Sequence, residues 1–239
     1  MRVAMITGGS AGLGRALLTA LVLRGWTVVT DGRSREALAA VAGPQTVVVA
    51  GDVADPAHRR ALVAEVTGLG RLDLLVHNAS TLGPLPMRRL RDLGVEGLRE
   101  TWEVNVAAPY ALTRALLPQL QAHGGGLLSL SSDAAVEHYA AWGAYGASKA
   151  ALDHLTLTWA AEEGIDAWVV DPGDMRTRMH QDAFPGEDIS DRPLPGTVVP
   201  HLLALIDRRP PAGRYRAADI PLDGPRAGAA PAVAGEVRG

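Results

Sequence analysis

The chain has no cysteine and only one phenylalanine. The first absence excludes disulfides, thiol nucleophiles and thiolate metal sites. The second, in a sequence that is 47% apolar, leaves the core to be built mainly from Ala, Leu and Val. Positive charge is not in excess either. Twenty-three Lys and Arg stand against 26 Asp and Glu, a formal net charge of −3, which argues against a polyanion-binding surface and against nucleic acid as a partner. No uninterrupted apolar run is long enough to span a bilayer, so no membrane partner is expected. The opening Met-Arg-Val-Ala-Met-Ile-Thr meets glycines too soon for a signal peptide. A soluble, cytoplasmic protein is the expectation. The seven histidines show no paired ligand spacing, and no metal is required.

What is present is an alternation. Short apolar runs at Val3–Ile6, Thr27–Thr30, Thr46–Ala50, Leu72–His77, Gly126–Leu130 and Ala167–Val170 have the length and flanks of buried strands. Between them, amphipathic patterns at Leu13–Arg24, Ser34–Val41, Pro56–Thr67, Val95–His123 and Ala144–Glu163 read as helices. Such alternation predicts an α/β fold, a doubly wound parallel sheet with helices on both faces. Arg214–Leu222 is a candidate last edge strand. One domain over residues 1–222 accounts for all of these elements, with a tail over 223–239 rich in Ala, Gly and Pro that is expected to be disordered. Two segments break the rhythm: Ser80–Leu93, with Pro84, Pro86 and an arginine cluster, and the charged, proline-bearing stretch 175–196. The second has the length and composition of a substrate lid.

The first strand runs into Thr7-Gly8-Gly9-Ser10-Ala11-Gly12-Leu13-Gly14 and then directly into a helix. Glycines there let the backbone approach a pyrophosphate, and the helix N-terminus supplies free N–H groups. Far downstream, Tyr145 and Lys149 lie four residues apart and so share a helix face. An ammonium beside a phenol favours the phenolate and makes the hydroxyl a usable proton donor. Such a pair alone is common on helix surfaces; following a glycine-rich strand–helix turn, it points to chemistry.

With its Thr-Gly-x-x-x-Gly-x-Gly spacing the chain resembles the short-chain dehydrogenase/reductase family, and further motifs match in order from residue 1 to about 222. Asp52-Val53 falls where that family contacts adenine. Asn78-Ala79 matches its structural Asn-Ala motif, with Ser80 in place of the usual glycine. Asn105 matches the family's helix asparagine, and Ser132 precedes Tyr145 by the family's interval. Pro172-Gly173 with Thr177 matches the segment that reaches the nicotinamide. The resemblance implies a Rossmann-like fold and an oxidoreductase interconverting a carbonyl and an alcohol. It assigns catalytic roles to Asn105, Ser132, Tyr145 and Lys149: Tyr145 as general acid, Lys149 as ribose and phenolate partner, Ser132 on the substrate oxygen, Asn105 on a relay water. Cofactor contacts are expected from Gly8, Ser10, Gly12, Leu13, Gly14, Arg33, Ser34, Asp52, Val53, Asn78, Ala79, Tyr145, Lys149, Pro172, Gly173 and Thr177.

The choice of cofactor turns on Val28-Val29-Thr30-Asp31-Gly32-Arg33-Ser34. Aligned on the family pattern, Gly32 occupies the position of the acid that selects NAD(H), and Arg33 follows it. An arginine grips a ribose 2′-phosphate, so NADP(H) is favoured over NAD(H). Asp31 leaves the other reading open: a shift of one residue makes it the ribose-binding acid. The substrate is expected to be a small carbonyl or alcohol compound, met by Glu137, His138, Tyr139 and Trp142 and by Met175, Met179, His180 and Phe184 of the lid, with Trp142 equally a core or subunit contact. The helices from Val95–His123 and Ala144–Glu163 correspond to those through which the family pairs subunits, and Leu152, Leu155, Leu157 and Trp159 add apolar surface, so a homodimer or homotetramer is expected. Two alternatives remain, a catalytically idle NADP-binding regulatory protein and an NAD-dependent alcohol dehydrogenase.

Overall fold

A computed structural model describes residues 1–222, and the expected tail lies outside the described residues. Seven strands, β1 (Val3–Ile6), β2 (Thr27–Gly32), β3 (Thr46–Ala50), β4 (Leu74–His77), β5 (Gly126–Leu130), β6 (Asp166–Asp171) and β7 (Gly213–Arg216), form one parallel sheet. Their order is β3-β2-β1-β4-β5-β6-β7. The connecting helices are α1 (Gly12–Leu23), α2 (Arg35–Ala39), α3 (Pro56–Gly68), α4 (Val95–Trp102), α5 (Ala108–His123), α6 (Gly143–Glu163), α7 (Arg178–Ala183) and α8 (Val199–Arg208). No helix among the described residues is long and apolar enough to cross a membrane.

The inner strands β1, β2, β4, β5 and β6 are mostly apolar and almost entirely buried because both faces of the sheet are covered. Alternate residues serve opposite layers. Ala4, Ile6, Val28, Val76 and Leu128 pack with Leu17 and Leu21 of α1 and Leu202 and Ile206 of α8. Val3, Met5, Val29, Leu75 and Leu127 pack with Leu62 and Val66 of α3 and Leu112, Leu116 and Leu120 of α5. With a single phenylalanine in the chain, the large volume in the first layer comes from Trp26 and Trp168. Trp168 is fully buried, and its ring lies where a methyl on Gly126 of the neighbouring strand would fall. The sheet is built outward from β1 to β3, then returns to add β4 on the other side of β1. That reversal opens a crevice beyond the carboxyl ends of β1 and β4.

The expected strands and helices are present with shifted ends, and one of the expected helices is divided. The pattern over 95–123 is not one helix: a π turn at Glu103–Ala107 separates α4 from α5. Pro109 has no N–H to offer the carbonyl of Asn105 four residues earlier, and its ring crowds that carbonyl. The widened turn is the accommodation. The edge strand expected at Arg214–Leu222 is shorter, ending at Arg216. The helix α8 was not among the expected elements. Proline within its first turn, which a helix N-terminus tolerates, obscured the stripe Val199, Leu202, Leu203, Leu205 and Ile206 that it buries.

Candidate active site

The carboxyl ends of β1, β2, β4, β5 and β6 surround one cleft of about 580 Å³. At its floor, β1 leads into the glycine turn. Gly8 has a φ of 69°, a conformation that a side chain would strain. A Cβ on Gly8 would also lie 3.1 Å from the Cα of Ala79. The turn is tied to β4 by Asn78, whose Nδ2 donates to the carbonyls of Thr7 (2.8 Å) and Gly8 (3.1 Å). The Thr7 hydroxyl oxygen accepts the N–H groups of Asn78 and Ala79, each at 3.0 Å. The Asn-Ala motif thus works by fixing the backbone against which a pyrophosphate would lie.

Of the expected cofactor residues, Gly8, Ser10, Gly12, Leu13, Arg33, Asp52, Val53, Asn78, Ala79, Tyr145, Lys149, Pro172, Gly173 and Thr177 all line this cleft. Gly14 does not line it. Its hydrogen faces the Asn78 amide, so its contribution is the close approach of α1 to the turn. Ser34 does not line it either: its Oγ caps α2 by accepting the N–H of Ala37 at 3.2 Å. Arg33 is exposed at the outer end of the cleft and makes no ion pair among the described residues. Asp31, by contrast, is buried, with Oδ1 accepting the Gly8 N–H at 2.7 Å and Oδ2 lying 3.0 Å from Nε2 of His58.

At the other end the cleft meets α6. Tyr145 and Lys149 share its inward face, both buried, with the Lys149 Nζ 5.6 Å from the centre of the phenol ring. Lys149 donates to the carbonyl of Leu130 at 2.8 Å. Ser132 follows β5 and lines the same wall, but its hydroxyl is engaged: it donates to Asp133 Oδ1 at 2.9 Å, while Tyr139 holds Oδ2 of the same carboxylate, also at 2.9 Å. Asn105 is fully committed. Its Oδ1 accepts from the Ser80 hydroxyl (3.0 Å) and the Thr81 N–H (2.9 Å), and its Nδ2 donates to the Thr81 carbonyl (2.8 Å) and the Ser148 hydroxyl (2.9 Å). The side chain has no valence left for a relay water. Its role here is to lock the π turn to the loop after β4 and to α6, and Ser80 stands where a glycine was expected because its hydroxyl completes that lock.

The electrostatics correct one expectation. The Lys149 ammonium does not bring the phenol down; burial pushes Tyr145 up to about 12, the Ser132 hydroxyl opposes this in part, and Asp133, Asp171 and Asp153 add to it. Burial also lowers Lys149 to about 8, with Asp153 pulling the other way. His77, beneath the site on β4, is held down at about 3 by burial and by Lys149 and is therefore neutral. Desolvation outweighs the Tyr–Lys attraction because both groups sit in the same dry wall.

The wall facing Tyr145 is apolar, built from Leu82, Trp142, Met179 and Ala183. Trp142 meets Tyr145 edge-on at 5.7 Å and packs on Phe184 at 5.9 Å. Met175 and His180 also line the cleft, whereas Glu137 and His138 are exposed and do not line it. Of the segment 175–196, residues between Met175 and Ala183 line the cleft, with α7 capped by Thr177 and Arg176 N–H bonded to the Pro193 carbonyl at 2.8 Å. Leu152 is core rather than surface. Sequence reasoning missed Asp133, and it missed the network in which Asp153 Oδ2 accepts from Ser131 (2.8 Å) and from Arg214 (3.1 Å), while Arg214 also donates to the Ser132 carbonyl at 2.8 Å. Asp153 extends the Tyr145, Lys149 series by four more residues, and that helical spacing was the available signal.

The residues fit a dinucleotide: the turn has no room for side chains at Gly8 and Gly14, it opens at a helix N-terminus, and the Arg33 guanidinium, without an ion pair among the described residues, lines the same cleft. Comparison with known proteins agrees. The family model described as short chain dehydrogenase matches residues 2–188. The uncharacterized oxidoreductase YciK of Escherichia coli is 32% identical over 219 residues, covering 86% of each chain. A solved structure of a short chain dehydrogenase from Pseudomonas syringae superposes with a TM-score of 0.84 at 35% identity, over 90% of this chain and 94% of that one. Another, from Shigella flexneri and complexed with NADP, has a TM-score of 0.84 at 30% identity, over 91% and 97% of the two chains. Fold, cleft, glycine turn and matched sequence together place this chain in the short chain dehydrogenase family of oxidoreductases.

Proposed function

We propose that the chain interconverts a carbonyl compound and its alcohol with NADP(H), working as a ketone or aldehyde reductase. The observation that carries this reading is the convergence of Ser132, Tyr145 and Lys149 on one wall of a cleft whose far end holds the glycine turn and Arg33. When bound, the nicotinamide supplies the hydride. Tyr145, protonated throughout the neutral range, gives its phenolic proton to the substrate oxygen as general acid. Lys149 steadies the phenolate left behind and holds the nicotinamide ribose. Ser132, once its hydroxyl turns from Asp133 to the substrate, donates to the developing alkoxide.

The substrate end is lined by Leu82, Trp142, Met179 and Ala183, which favours carbonyl compounds carrying an apolar flank. Arg33 supports NADP(H), since its guanidinium is free to pair with a 2′-phosphate, and the NADP-bound relative supports the same choice. The partly exposed Leu98, Trp102 and Tyr110 on α4, the π-turn junction and α5 supply an apolar face for a homodimer or homotetramer. Sedimentation that finds only monomer would remove that part of the reading.

The test is Tyr145→Phe in a screen of carbonyl compounds followed by NADPH oxidation. The variant should bind NADPH as the wild type does and lose at least about a hundredfold in turnover. Near-normal turnover would remove Tyr145 as the proton donor, and wild-type protein that binds no nicotinamide cofactor would remove the reading itself.

A further inference from the structure

Asp31 poses a problem that the proposed function does not solve. A carboxylate on the wall of the adenosine end of the cleft repels a 2′-phosphate and welcomes a ribose hydroxyl. Asp31 lies on that wall, beside Gly32, Arg33, Gly51 and Asp52. Its carboxylate is nevertheless withdrawn: Oδ1 receives the Gly8 N–H at 2.7 Å, and Oδ2 lies 3.0 Å from His58 Nε2. A carboxylate only accepts, so Nε2 carries the proton of that bond. The two side chains are 3% and 5% exposed respectively. His58 is held in place from behind. It is the third residue of α3, and its ring lies against Gly51, where a Cβ would overlap the imidazole. Gly51 in turn donates to the Gly32 carbonyl at 3.0 Å. Three segments of the nucleotide site, the glycine turn, the end of β2 and the start of α3, therefore meet at one carboxylate.

We propose that His58 is a positioning residue for cofactor selection, acting through Asp31: it holds the carboxylate against the glycine turn and leaves the ribose 2′ position to Arg33. The proposal rests on the reading that the adenosine of NADP(H) lies at this end of the cleft. Without the imidazole donor, Oδ2 is a buried acceptor with no partner, a costly state. The nearest relief is rotation toward the cleft, where the ribose 2′-hydroxyl of NAD(H) donates to it and the 2′-phosphate of NADP(H) does not. The chain then carries an NAD-type acid two residues before its NADP-type arginine, with a histidine deciding which of them faces the cofactor.

The test is titration of NADPH and NADH into the purified protein, without substrate, at one pH and salt concentration, for the wild type, His58→Leu, His58→Gln, Asp31→Asn and His58→Leu combined with Asp31→Asn. His58→Leu should lower the ratio of NADPH to NADH affinity by roughly tenfold. His58→Gln, which keeps an amide donor near the Nε2 position, should hold the ratio near that of the wild type. In the Asp31→Asn background, removal of His58 should leave the ratio unmoved, because no charge remains to be released. Equal weakening of both cofactors by His58→Leu would make the pair a simple structural latch and overturn the proposal, as would a shift that persists in the Asp31→Asn background. If His58→Leu does not fold, His58→Asn, whose amide falls short of Asp31, replaces it with the same expected shift. Preference of the wild type for NADH would overturn the Arg33 reading on its own, and the change in ratio would still decide the role of His58.

Discussion

Replacing Gly14 by alanine tests the account of the glycine turn quantitatively. Gly14 is the third residue of α1, and a Cβ there would fall on the Asn78 amide nitrogen and 2.7 Å from the Gly8 carbonyl oxygen. The amide must therefore give up its bonds to the carbonyls of Thr7 and Gly8. Two such hydrogen bonds, each with a net value of about 1 kcal/mol and a further cost for any group left unpaired, come to roughly 2–4 kcal/mol. Alanine recovers at most about 1 kcal/mol through helix propensity. The net loss is about 1–3 kcal/mol, and for a domain of this size each kcal/mol lowers Tm by about 2–4 °C. Thermal unfolding followed by circular dichroism should show a fall of about 2–12 °C, and NADPH titration should show weakened binding because the Gly8 carbonyl is displaced. Gly68→Ala is the control. It closes α3 with nothing within 4 Å of the added methyl, and it should leave Tm unchanged or raise it slightly. Gly14→Ala with wild-type Tm and wild-type NADPH affinity would refute the packing argument.

Above about pH 8 Lys149 loses its charge while Tyr145, at about 12, keeps its proton; kcat/KM for NADPH in the reductive direction should be level near neutrality and decline above about pH 8. A profile level to pH 10 would contradict this assignment. Asp153→Asn removes the negative charge that keeps Lys149 protonated, so the alkaline decline should begin at lower pH. A rate lowered equally at all pH values would reduce Asp153 to a structural role. Arg33→Ala should weaken NADPH by about tenfold or more and leave NADH nearly unaffected; equal loss for both would show that Arg33 does not read the phosphate.

The parts of the site that were legible in the sequence are those whose geometry is local. Tyr145 and Lys149 face one way because a helix repeats every 3.6 residues, and the glycine turn is recognisable because strand, glycines and helix are contiguous. What was not legible depends on sheet order. Arg214 reaches Asp153 and the Ser132 carbonyl because β7 lies beside β6, a neighbour relation that no spacing encodes. Asp31 read ambiguously for the same reason: its meaning is set by His58, 27 residues away on α3. Asn105 was found by motif, but the partners of its side chain were not, since all four of its hydrogen bonds go to residues on other segments.

The sign of the Tyr145 shift bears on the proton step of the proposed reaction. The sequence argument made the phenol acidic through its lysine, which would suit a base that takes a proton from an alcohol as readily as an acid that gives one. In the folded protein, burial and three surrounding carboxylates, Asp133, Asp171 and Asp153, keep the proton on the phenol. A group at about 12 leaves a fraction of only about 10⁻⁵ as phenolate at pH 7. Giving a proton to a substrate oxygen starts from the populated form, whereas taking one starts from the scarce form. Lys149, charged below about 8, is then placed to stabilise the phenolate only after the proton has left. In the proposed reaction the free cleft is therefore poised to donate a proton near neutral pH, and it is so through desolvation, a property of the packed wall that no pairing of residues in the sequence displays.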